Sequence, residues 1–153
     1  MSRRDQIKME TEEVAGFLAE QRVVVCATNG LRGWPHVMPL WYVVREGELW
    51  VWTYAKSQKT RNLERDARAT LQVETGEQYH ELRGVMIEAQ TVIHRGAGVV
   101  GEFGAELFSR YGGEATGPEF LAVVRAQAAK RVALQFVAQR VATWDHRKLV
   151  GVY

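Results

Sequence analysis

Residues 49–74 read LWVWTYAKSQKTRNLERDARATLQVE, in which two alternating apolar runs flank a basic connection. The first run predicts a strand, because a period of two sends Leu49, Val51 and Thr53 to one face and the aromatic side chains between them to the other. The second run, ARATLQVET, predicts another strand of the same kind. Two strands joined by a short connection therefore set the fold, and the connection at 56–62 needs its own explanation.

The connection, KSQKTRN, carries three cations and two hydroxyls. Ser57 is placed to cap a short helix through Leu63, and the free N–H groups of a helix N-terminus attract anions. Lys59 and Arg61 fall in the first turn, where a cation opposes the helix dipole unless an anion lies beside it. A phosphate-binding turn fits this pattern. A solvated connection with incidental charge is the alternative.

Length and composition suit a single domain over 1–153. Of the 153 residues, 46% are hydrophobic and 25% charged, and the formal net charge is +2. Such a small excess of Lys and Arg argues against a dedicated nucleic-acid binder. The sequence has no secretory signal pattern and no apolar run near the roughly 20 residues that cross a bilayer, so we expect a cytoplasmic protein. The single cysteine, Cys26, sits among strand-forming residues and is expected to be a buried hydrophobe.

The rest of the chain reads as short strands with few helices. Apolar spacing predicts a helix over Thr11–Glu20, and a proline at a first helical turn predicts another from Pro118 to about Ala129. The strand WPHVMPLWYVV contains Pro35 and Pro39. Because proline donates no ladder hydrogen bond, this strand should be bulged, at a sheet edge or beside a bound group. About six strands joined mostly by short turns predict a small antiparallel barrel with helices packed outside it.

Three tryptophans, Trp41, Trp50 and Trp52, are predicted on neighbouring strands beside the basic turn. Aromatic rings next to an anion site suit a planar heterocycle that carries a phosphate, because rings stack on rings. A core or a dimer interface built from aromatic side chains is the alternative.

Other catalytic and metal-binding patterns are missing from the sequence. It contains no GxSxG hydrolase motif and no GxxxxGK[ST] phosphate loop. GAGVVG at 96–101 lacks the βαβ pattern that a dinucleotide fingerprint requires. The histidines are widely separated and form no HExxH or paired spacing, which argues against a metal site. They are His36, His80, His94 and His146.

The stretch WTYAKSQKTRNLERDARATLQV resembles the strand, basic turn, Asn-Leu and strand signature of the pyridoxamine 5′-phosphate oxidase-like superfamily of flavin and deazaflavin oxidoreductases. The resemblance extends more loosely over Arg22–His94, and the ending TWDHRKLVGVY is similar to endings in the actinobacterial branch that uses coenzyme F-420. It implies a mainly β chain folded as a split antiparallel β-barrel. It also implies a homodimer with the cofactor near the subunit interface, and a small-molecule substrate.

In that superfamily the basic turn binds the phosphate of FMN or the phosphodiester of F-420. The resemblance implies that Lys59 is the main phosphate cation, assisted by Lys56, and that neighbouring polar side chains supply hydrogen bonds. The strand at 39–41 would lie along the tricyclic ring. The implied cofactor-binding residues are Pro39, Leu40, Trp41, Thr53, Lys56, Ser57, Lys59, Thr60, Arg61 and Asn62.

Two departures argue against vitamin B6 chemistry. True pyridoxamine phosphate oxidases carry an arginine and a lysine on the strand that corresponds to Val37–Val43, where this chain has Met38 and Tyr42. Their arginine-histidine substrate motif is poorly matched by WDHRKL. The resemblance therefore favours an oxidoreductase that transfers hydride from reduced F-420 to an unsaturated organic substrate. Tyr42, His36 or solvent could supply the proton.

Three alternatives stay open. An FMN-dependent oxidase or reductase would use the same pocket, and so would a flavin- or tetrapyrrole-binding module without turnover. The third is a β-barrel interaction protein whose basic turn is only surface. F-420, unlike FMN, carries an acidic glutamate tail beyond its phosphate, which would need cations further out. The candidates are Arg3, Arg4, Lys8, Arg147 and Lys148.

Overall fold

The computed structural model describes residues 1–112, 117–149 and 151. The strands within these ranges are β1 (Val24–Asn29), β2 (Pro35–Leu40), β3 (Val43–Arg45), β4 (Glu48–Tyr54), β5 (Arg68–Thr75), β6 (Arg83–His94) and β7 (Arg131–Asp145). The helices are α1 (Arg3–Gln6), α2 (Thr11–Glu20), α3 (Gln58–Arg65), α4 (Ala97–Tyr111) and α5 (Pro118–Ala128). One-turn 3₁₀ helices span Tyr79–Glu81 and His146–Lys148.

The strands form an antiparallel sheet in the order β2–β1–β5–β6–β7–β4–β3. The long strand β7 joins the two halves of the sheet. The first half of β7 pairs with β4, and nearly the whole of β7 pairs with β6. An extra residue, Gln139, shifts the β6–β7 register between Glu88 and Ala89. Bulges of this kind bend and twist a strand, which lets the sheet curl. The predicted mainly β, split-barrel fold is confirmed, with seven strands where about six were expected.

The main core lies inside the curl of the sheet. Leu49 and Val51 of β4 are 1% and 0% exposed, as the alternation of β4 predicts. Leu71 of β5, Leu134 of β7 and Phe17 of α2 belong to the same buried cluster. Each such side chain contributes about 1.5–3 kcal/mol of burial free energy. The predicted helix at 11–20 therefore stabilises the barrel by covering its interior.

A second cluster lies between the outer face of β4 and α4. The ring centroid of Trp50 lies 6.0 Å from that of Phe103, and that of Trp52 lies 5.6 Å from that of Phe108. Gly104 makes this approach possible, because a Cβ there would lie 2.4 Å from the Trp52 ring. For Trp50 and Trp52 the core alternative is confirmed, and the prediction that they serve a ligand beside the basic turn is wrong.

The chain predicted as one strand over 34–44 is divided in two at Trp41 and Tyr42. β2 pairs with β1 at one edge of the sheet, and β3 pairs with β4 at the other edge. The edge position predicted from the prolines of β2 is confirmed. The chain thus crosses between the two edges of the curled sheet at Trp41 and Tyr42.

The predicted helices at Thr11–Glu20 and from Pro118 are confirmed as α2 and α5. The ending that contributed to the family resemblance is described only in part, since Val150, Val152 and Tyr153 lie outside the described residues. Within the described ranges, no helix has the length and apolar character needed to cross a membrane.

Candidate functional site

Ser57 begins α3, as the sequence predicts. Its Oγ accepts a hydrogen bond from the Thr60 amide at 3.2 Å. The Arg61 amide donates to the Ser57 carbonyl at 3.1 Å. The amides of Gln58 and Lys59 lie too early in the helix to reach an intrahelical carbonyl, as is normal for a first turn. Together with the positive end of the helix dipole, they form a surface suited to an anion.

Lys59 is the unusual group of this turn. The residue is only 7% exposed, and its Nζ donates to Thr53 Oγ1 at 2.9 Å. Among the residues that the structure describes, no carboxylate forms an ion pair with it. Burial lowers the pKa of its ammonium group. Because buried charges in proteins are normally paired, an anion from outside the chain would complete this site.

Cys26 of β1 lies close enough to Lys59 for the ammonium charge to act on the ionisation of its thiol. Burial raises the pKa of its thiol to about 12, with the Lys59 charge acting in the opposite direction. The residue is 1% exposed. An enclosed thiol that stays protonated is a poor nucleophile, so the prediction of a buried hydrophobe at Cys26 is confirmed.

Thr60 and Asn62 hold α3 in place and do not line its outer surface. Both residues are 0% exposed. Thr60 Oγ1 donates to the Tyr54 carbonyl at 2.9 Å, and Asn62 Nδ2 donates to Thr28 Oγ1 at 3.1 Å. The expectation that these two side chains bind a ligand phosphate is therefore wrong, because their polar atoms are buried and already bonded within the protein.

The two remaining cations of the turn face solvent. Arg61 is exposed and pairs with Glu64 at 3.2 Å. Lys56 is exposed just after the end of β4. Exposed cations are screened by water and contribute little to any one ion pair. Of the three cations in the basic connection, Lys59 is thus the one whose charge is enclosed.

The inward face of β2 lies on the same side of the sheet as α3. His36 is paired with Thr28 and Met38 with Cys26 in the β1–β2 register, and paired residues point to the same face. His36 and Met38 therefore point inward, and Met38 is still 43% exposed. Pro39 points the opposite way, so its side chain does not lie on the face shared with α3, and its ring contact stays a prediction that this face does not support. Met38 is the exposed residue that the inward face offers beside Leu40, and the alternation around Pro39 predicts this placement.

Leu40 and Trp41, the other two predicted ring contacts, differ in their surroundings. Leu40 is partly buried against the main core. Trp41 is 48% exposed and stacks on Tyr111 with ring centroids 4.5 Å apart. Both border the open surface above β2, so both stay candidates.

Tyr42, a candidate proton donor, lies in the core. It is 0% exposed, and its hydroxyl donates to the carbonyls of Leu18 and Gln21 at 2.6 and 3.0 Å. Burial raises its pKa, and Arg110 above its ring acts in the opposite direction. The prediction that Tyr42 gives a proton to a substrate is wrong, because its hydroxyl ties the crossing between the sheet edges to the end of α2.

His36, the other candidate, is half-buried on β2, and its Nδ1 is buried with no hydrogen-bond partner. Among the described ranges, no group of three or more His, Cys, Asp or Glu side chains is arranged to hold a metal ion. Because the Tyr42 hydroxyl is enclosed, His36 is the remaining one of the two candidate side chains for proton transfer.

The surface over α3 and β2 is open. Cavities of about 550 Å³ between α4 and α5, and of about 440 Å³ between α2, β3 and β7, have no lining residue from α3 or β2. Neither cavity contains the buried cation. We therefore place the candidate site at the open surface, on the chemistry of Lys59.

The basic residues predicted to reach a ligand tail are partly neutralised within the protein. Arg147 pairs with Asp145 and Lys148 with Glu13, each at 2.7 Å. The expectation that Arg147 and Lys148 serve an acidic tail is therefore not supported.

A family model described as pyridoxamine 5′-phosphate oxidase matches residues 10–145. Among solved structures, the conserved hypothetical protein Rv2991 from Mycobacterium tuberculosis is 38% identical, with 100% of this chain and 95% of that chain covered and a TM-score of 0.91. An F-420 reductase is 22% identical over 83% of this chain and 94% of that one, with a TM-score of 0.66.

HutZ, the heme storage protein from Vibrio cholerae, is 17% identical over 87% of this chain and 94% of that one, with a TM-score of 0.67. At such low identities, the reductase and HutZ share the fold with this chain and nothing finer is concluded. No curated protein matches the chain by sequence. The match over 10–145, together with the curled seven-stranded sheet, places the chain in the pyridoxamine 5′-phosphate oxidase family with its split-barrel fold.

Proposed function

We propose that the protein binds a phosphate-bearing flavin or deazaflavin, with coenzyme F-420 preferred, and transfers hydride from reduced F-420 to an unsaturated organic substrate. The observation that carries this proposal is the burial of Lys59 without a carboxylate partner at the first turn of α3. A buried cation of this kind costs stability unless a ligand offsets it.

The residues of the turn fit a phosphate group. Lys59 Nζ, Thr53 Oγ1 and Ser57 Oγ lie in one hydrogen-bonded chain, with distances of 2.9 and 3.4 Å between successive atoms. Lys59 would hold the phosphate by charge, and the amides of Gln58 and Lys59 would donate to its oxygens. The bound cofactor supplies the hydride chemistry, while the chain supplies position and electrostatics.

The inward face of β2 fits the ring of such a cofactor. Met38 offers an exposed thioether beside the partly buried Leu40, and thioethers make favourable contacts with aromatic rings. His36 lies on the same face, two residues before Met38. A cofactor with its ring over β2 and its phosphate at the start of α3 would therefore lie across two elements, β2 and α3, that both flank β1.

We also propose a homodimer with the cofactor near the subunit interface. β2 and the residues beside it expose large apolar side chains on both faces of the strand, since Val37 and Met38 point to opposite sides, and exposed apolar surface of this extent often binds a partner. The exposed fractions are 73% for Trp34, 52% for Val37, 43% for Met38 and 48% for Trp41. A second copy that covered Met38 on the inward face of β2 would turn the open surface into an enclosed site. Sedimentation should therefore give a dimer at micromolar concentration.

Two related functions compete with this one. An FMN-dependent oxidase or reductase would use the same turn. A flavin- or tetrapyrrole-binding module without turnover would use the same pocket; the enclosed Tyr42 hydroxyl removes one proton donor from an enzyme at this site and leaves His36 and solvent.

Titration of the purified protein with FMN, F-420 and heme tests the proposal. F-420 should bind most tightly, and Lys59→Gln should weaken its binding about 10- to 100-fold. Arg61→Gln is the matched control, since it removes a cation from the same turn that is exposed and paired with Glu64. Unchanged affinity in Lys59→Gln would remove the phosphate assignment, and tighter binding of FMN would replace F-420. Reoxidation of the bound reduced cofactor by unsaturated acceptors then separates an enzyme from a carrier.

A further inference from the structure

Helix α5 has an apolar surface that the rest of the described protein leaves largely uncovered. Its sequence, PEFLAVVRAQA, contains only three polar residues, and a helix that is apolar on most sides is normally buried. Its buried residues are Val124 and Ala128, whereas Leu121 is 40% exposed and Val123 is 57% exposed. The helix therefore lacks the cover that its sequence predicts.

A groove with a volume of about 550 Å³ lies between α5 and α4. Leu121 and Arg125 of α5 line one wall, and Gly98 and Glu102 of α4 line the other. A Cβ at Gly98 would meet no atom within 4 Å, so the groove is open at this point. The groove thus has room for an aliphatic side chain from outside the chain.

The surface next to the groove is also apolar. Helical spacing places Ala122 and Ala126 on the row beside Leu121 and Arg125, and both alanines are exposed. We call the groove together with this row the α4–α5 face. Small side chains beside an open groove allow another helix to approach closely.

Glu102 and Arg125 give the α4–α5 face one charge of each sign. Both are exposed, and among the residues that the structure describes neither forms an ion pair. In an interface with twofold symmetry the same surface meets itself, so Glu102 of each copy lies opposite Arg125 of the other. The face is therefore complementary to itself in charge.

We propose that the α4–α5 faces of two copies bind each other. Leu121 of each copy enters the groove of the other beside Gly98, and the Glu102–Arg125 pair forms twice, once on each side of the twofold axis. This interface is separate from the site of the proposed function, because the groove contains no residue of α3 or β2. Joined with the dimer proposed at β2, it gives a tetramer with two kinds of interface.

The α4–α5 interface is small, so the association is weak. α5 has 11 residues, and at a rise of 1.5 Å per residue it is about 16 Å long. Interfaces of limited extent belong to the transient class. The dimer expected at micromolar concentration should therefore pair into a tetramer only at about 100 μM.

Charge reversal tests this interface in a way that misfolding cannot imitate. Glu102→Arg gives the face two cations and Arg125→Glu gives it two anions, so each variant alone should associate about tenfold more weakly than wild type. An equimolar mixture of the two variants restores both opposite-charge pairs and should associate to the wild-type extent. Sedimentation equilibrium from about 5 to 500 μM measures the three cases. Glu77→Arg, an exposed reversal in the turn after β5, is the matched control and should behave as wild type.

Gly98→Leu tests the groove without disturbing the fold. Leucine has a higher helix propensity than glycine, and the space around the Gly98 Cβ position is open. The variant should therefore unfold at the wild-type temperature or above it in dilute solution, while its association falls tenfold or more because the groove is filled. Gly16→Leu is the matched control, since Gly16 of α2 has equally open space. It should leave the association unchanged.

Weaker association of both charge variants that their mixture restores, with loss of association in a stable Gly98→Leu, supports the interface. A wild type that keeps one mass over the whole concentration range overturns it, and the apolar face then serves a different partner. Association that the charge variants and Gly98→Leu leave unchanged uses another surface and also overturns it, as does a mixture that stays as weak as its components. Because only the step between low and high concentration is compared, these results do not depend on the β2 dimer or on the site at Lys59.

Discussion

Two short basic segments follow strands in this protein, and their charges are balanced in opposite ways. After β4, the first turn of α3 encloses Lys59 beside Thr53, with the residue 7% exposed. After β7, the 3₁₀ turn at 146–148 carries Arg147, which bonds to Asp145, and Lys148, which bonds to Glu13, each at 2.7 Å. Arg147 and Lys148 of the second segment are thus paired with carboxylates, whereas Lys59 of the first has no carboxylate partner among the residues that the structure describes.

The capping residues account for much of this difference. Asp145 accepts from the Arg147 amide at 3.0 Å and brings a negative charge to the turn. Ser57 caps α3 with a neutral hydroxyl. A charged cap satisfies both the helix end and a neighbouring cation, whereas a neutral cap leaves the positive charge available. A cation whose counter-charge is missing, such as Lys59, is therefore a better indication of an anion site than the number of cations in a segment.

Lys59→Met is expected to have the largest effect. Affinity for the phosphate ligand should fall by about 1.5–3 kcal/mol, the range for a hydrogen bond to a charged group. The ligand-free protein should be no less stable, because methionine fills a similar volume and carries no charge to bury. Calorimetric titration and thermal unfolding without ligand measure the two effects. A lower melting temperature would mean that Thr53 already satisfies Lys59, and the contrast between the two segments would be lost.

Asp145→Asn should show the reverse pattern. Asp145 is 3% exposed and accepts two side-chain bonds from Arg147 at 2.9 and 2.7 Å. Removing its charge should lower the free energy of unfolding by about 1–3 kcal/mol. Ligand affinity should be unchanged, because this segment is distant in topology from α3. Urea unfolding checks the first expectation, and a loss of affinity in a folded variant would contradict the second.

The same variant has a defined pH dependence. Burial opposes ionisation of Asp145, but the hydrogen bonds from Arg147 outweigh it, and the pKa is lowered. A carboxyl with a lowered folded pKa stabilises the protein above the unfolded value, about 3.9 for Asp, and loses that contribution as pH falls through the folded value. The difference between wild type and Asp145→Asn should therefore be full at pH 7 and shrink below about pH 4. A difference that is constant with pH would mean that shape, not charge, matters at Asp145.

Tyr42→Phe removes a side-chain hydroxyl whose hydrogen bonds are made to backbone carbonyls. The loss of the bonds to Leu18 and Gln21 should cost about 0.5–1.5 kcal/mol of stability. Hydride transfer should be unaffected, because the hydroxyl is enclosed. Denaturant midpoints and single-turnover oxidation of reduced cofactor test these points. Slower transfer at unchanged stability would restore Tyr42 as a proton donor.

The sequence allowed much of the fold to be predicted, because local rules decide it. The alternation of Leu49 and Val51, the helix at Thr11–Glu20 and the cap at Ser57 all depend on neighbouring residues, and each is confirmed. The division of the strand at Trp41 and Tyr42 was missed. Both flanking runs have strand character, and only their pairing with opposite sheet edges separates them.

For the candidate site, the sequence singled out the turn that encloses Lys59, but not which of its side chains are buried. The order of residues in the turn located Lys59, yet its enclosure depends on Cys26 and Thr53, which come from different strands. Thr60 and Asn62 are polar residues of the kind that bind phosphate, and only their burial reveals that they position α3. Tertiary contacts thus decide which polar side chains of the turn are buried and which are exposed.

Arg61→Gln is expected to have the smallest effect. It tests whether the burial of a cation in the turn matters more than its charge alone. Arg61 and Lys59 carry the same charge in the same turn, but the Arg61 side chain is 57% exposed and pairs with Glu64 at 3.2 Å. An exposed pair contributes little, so stability should change by less than about 0.5 kcal/mol. Any loss of ligand affinity should be equally small and should vanish at high salt, since exposed charges are screened over about 8–10 Å. Titrations of both variants at low and high ionic strength check this. If Arg61→Gln weakened binding as much as Lys59→Met, the number of cations in the turn would matter and their burial would not.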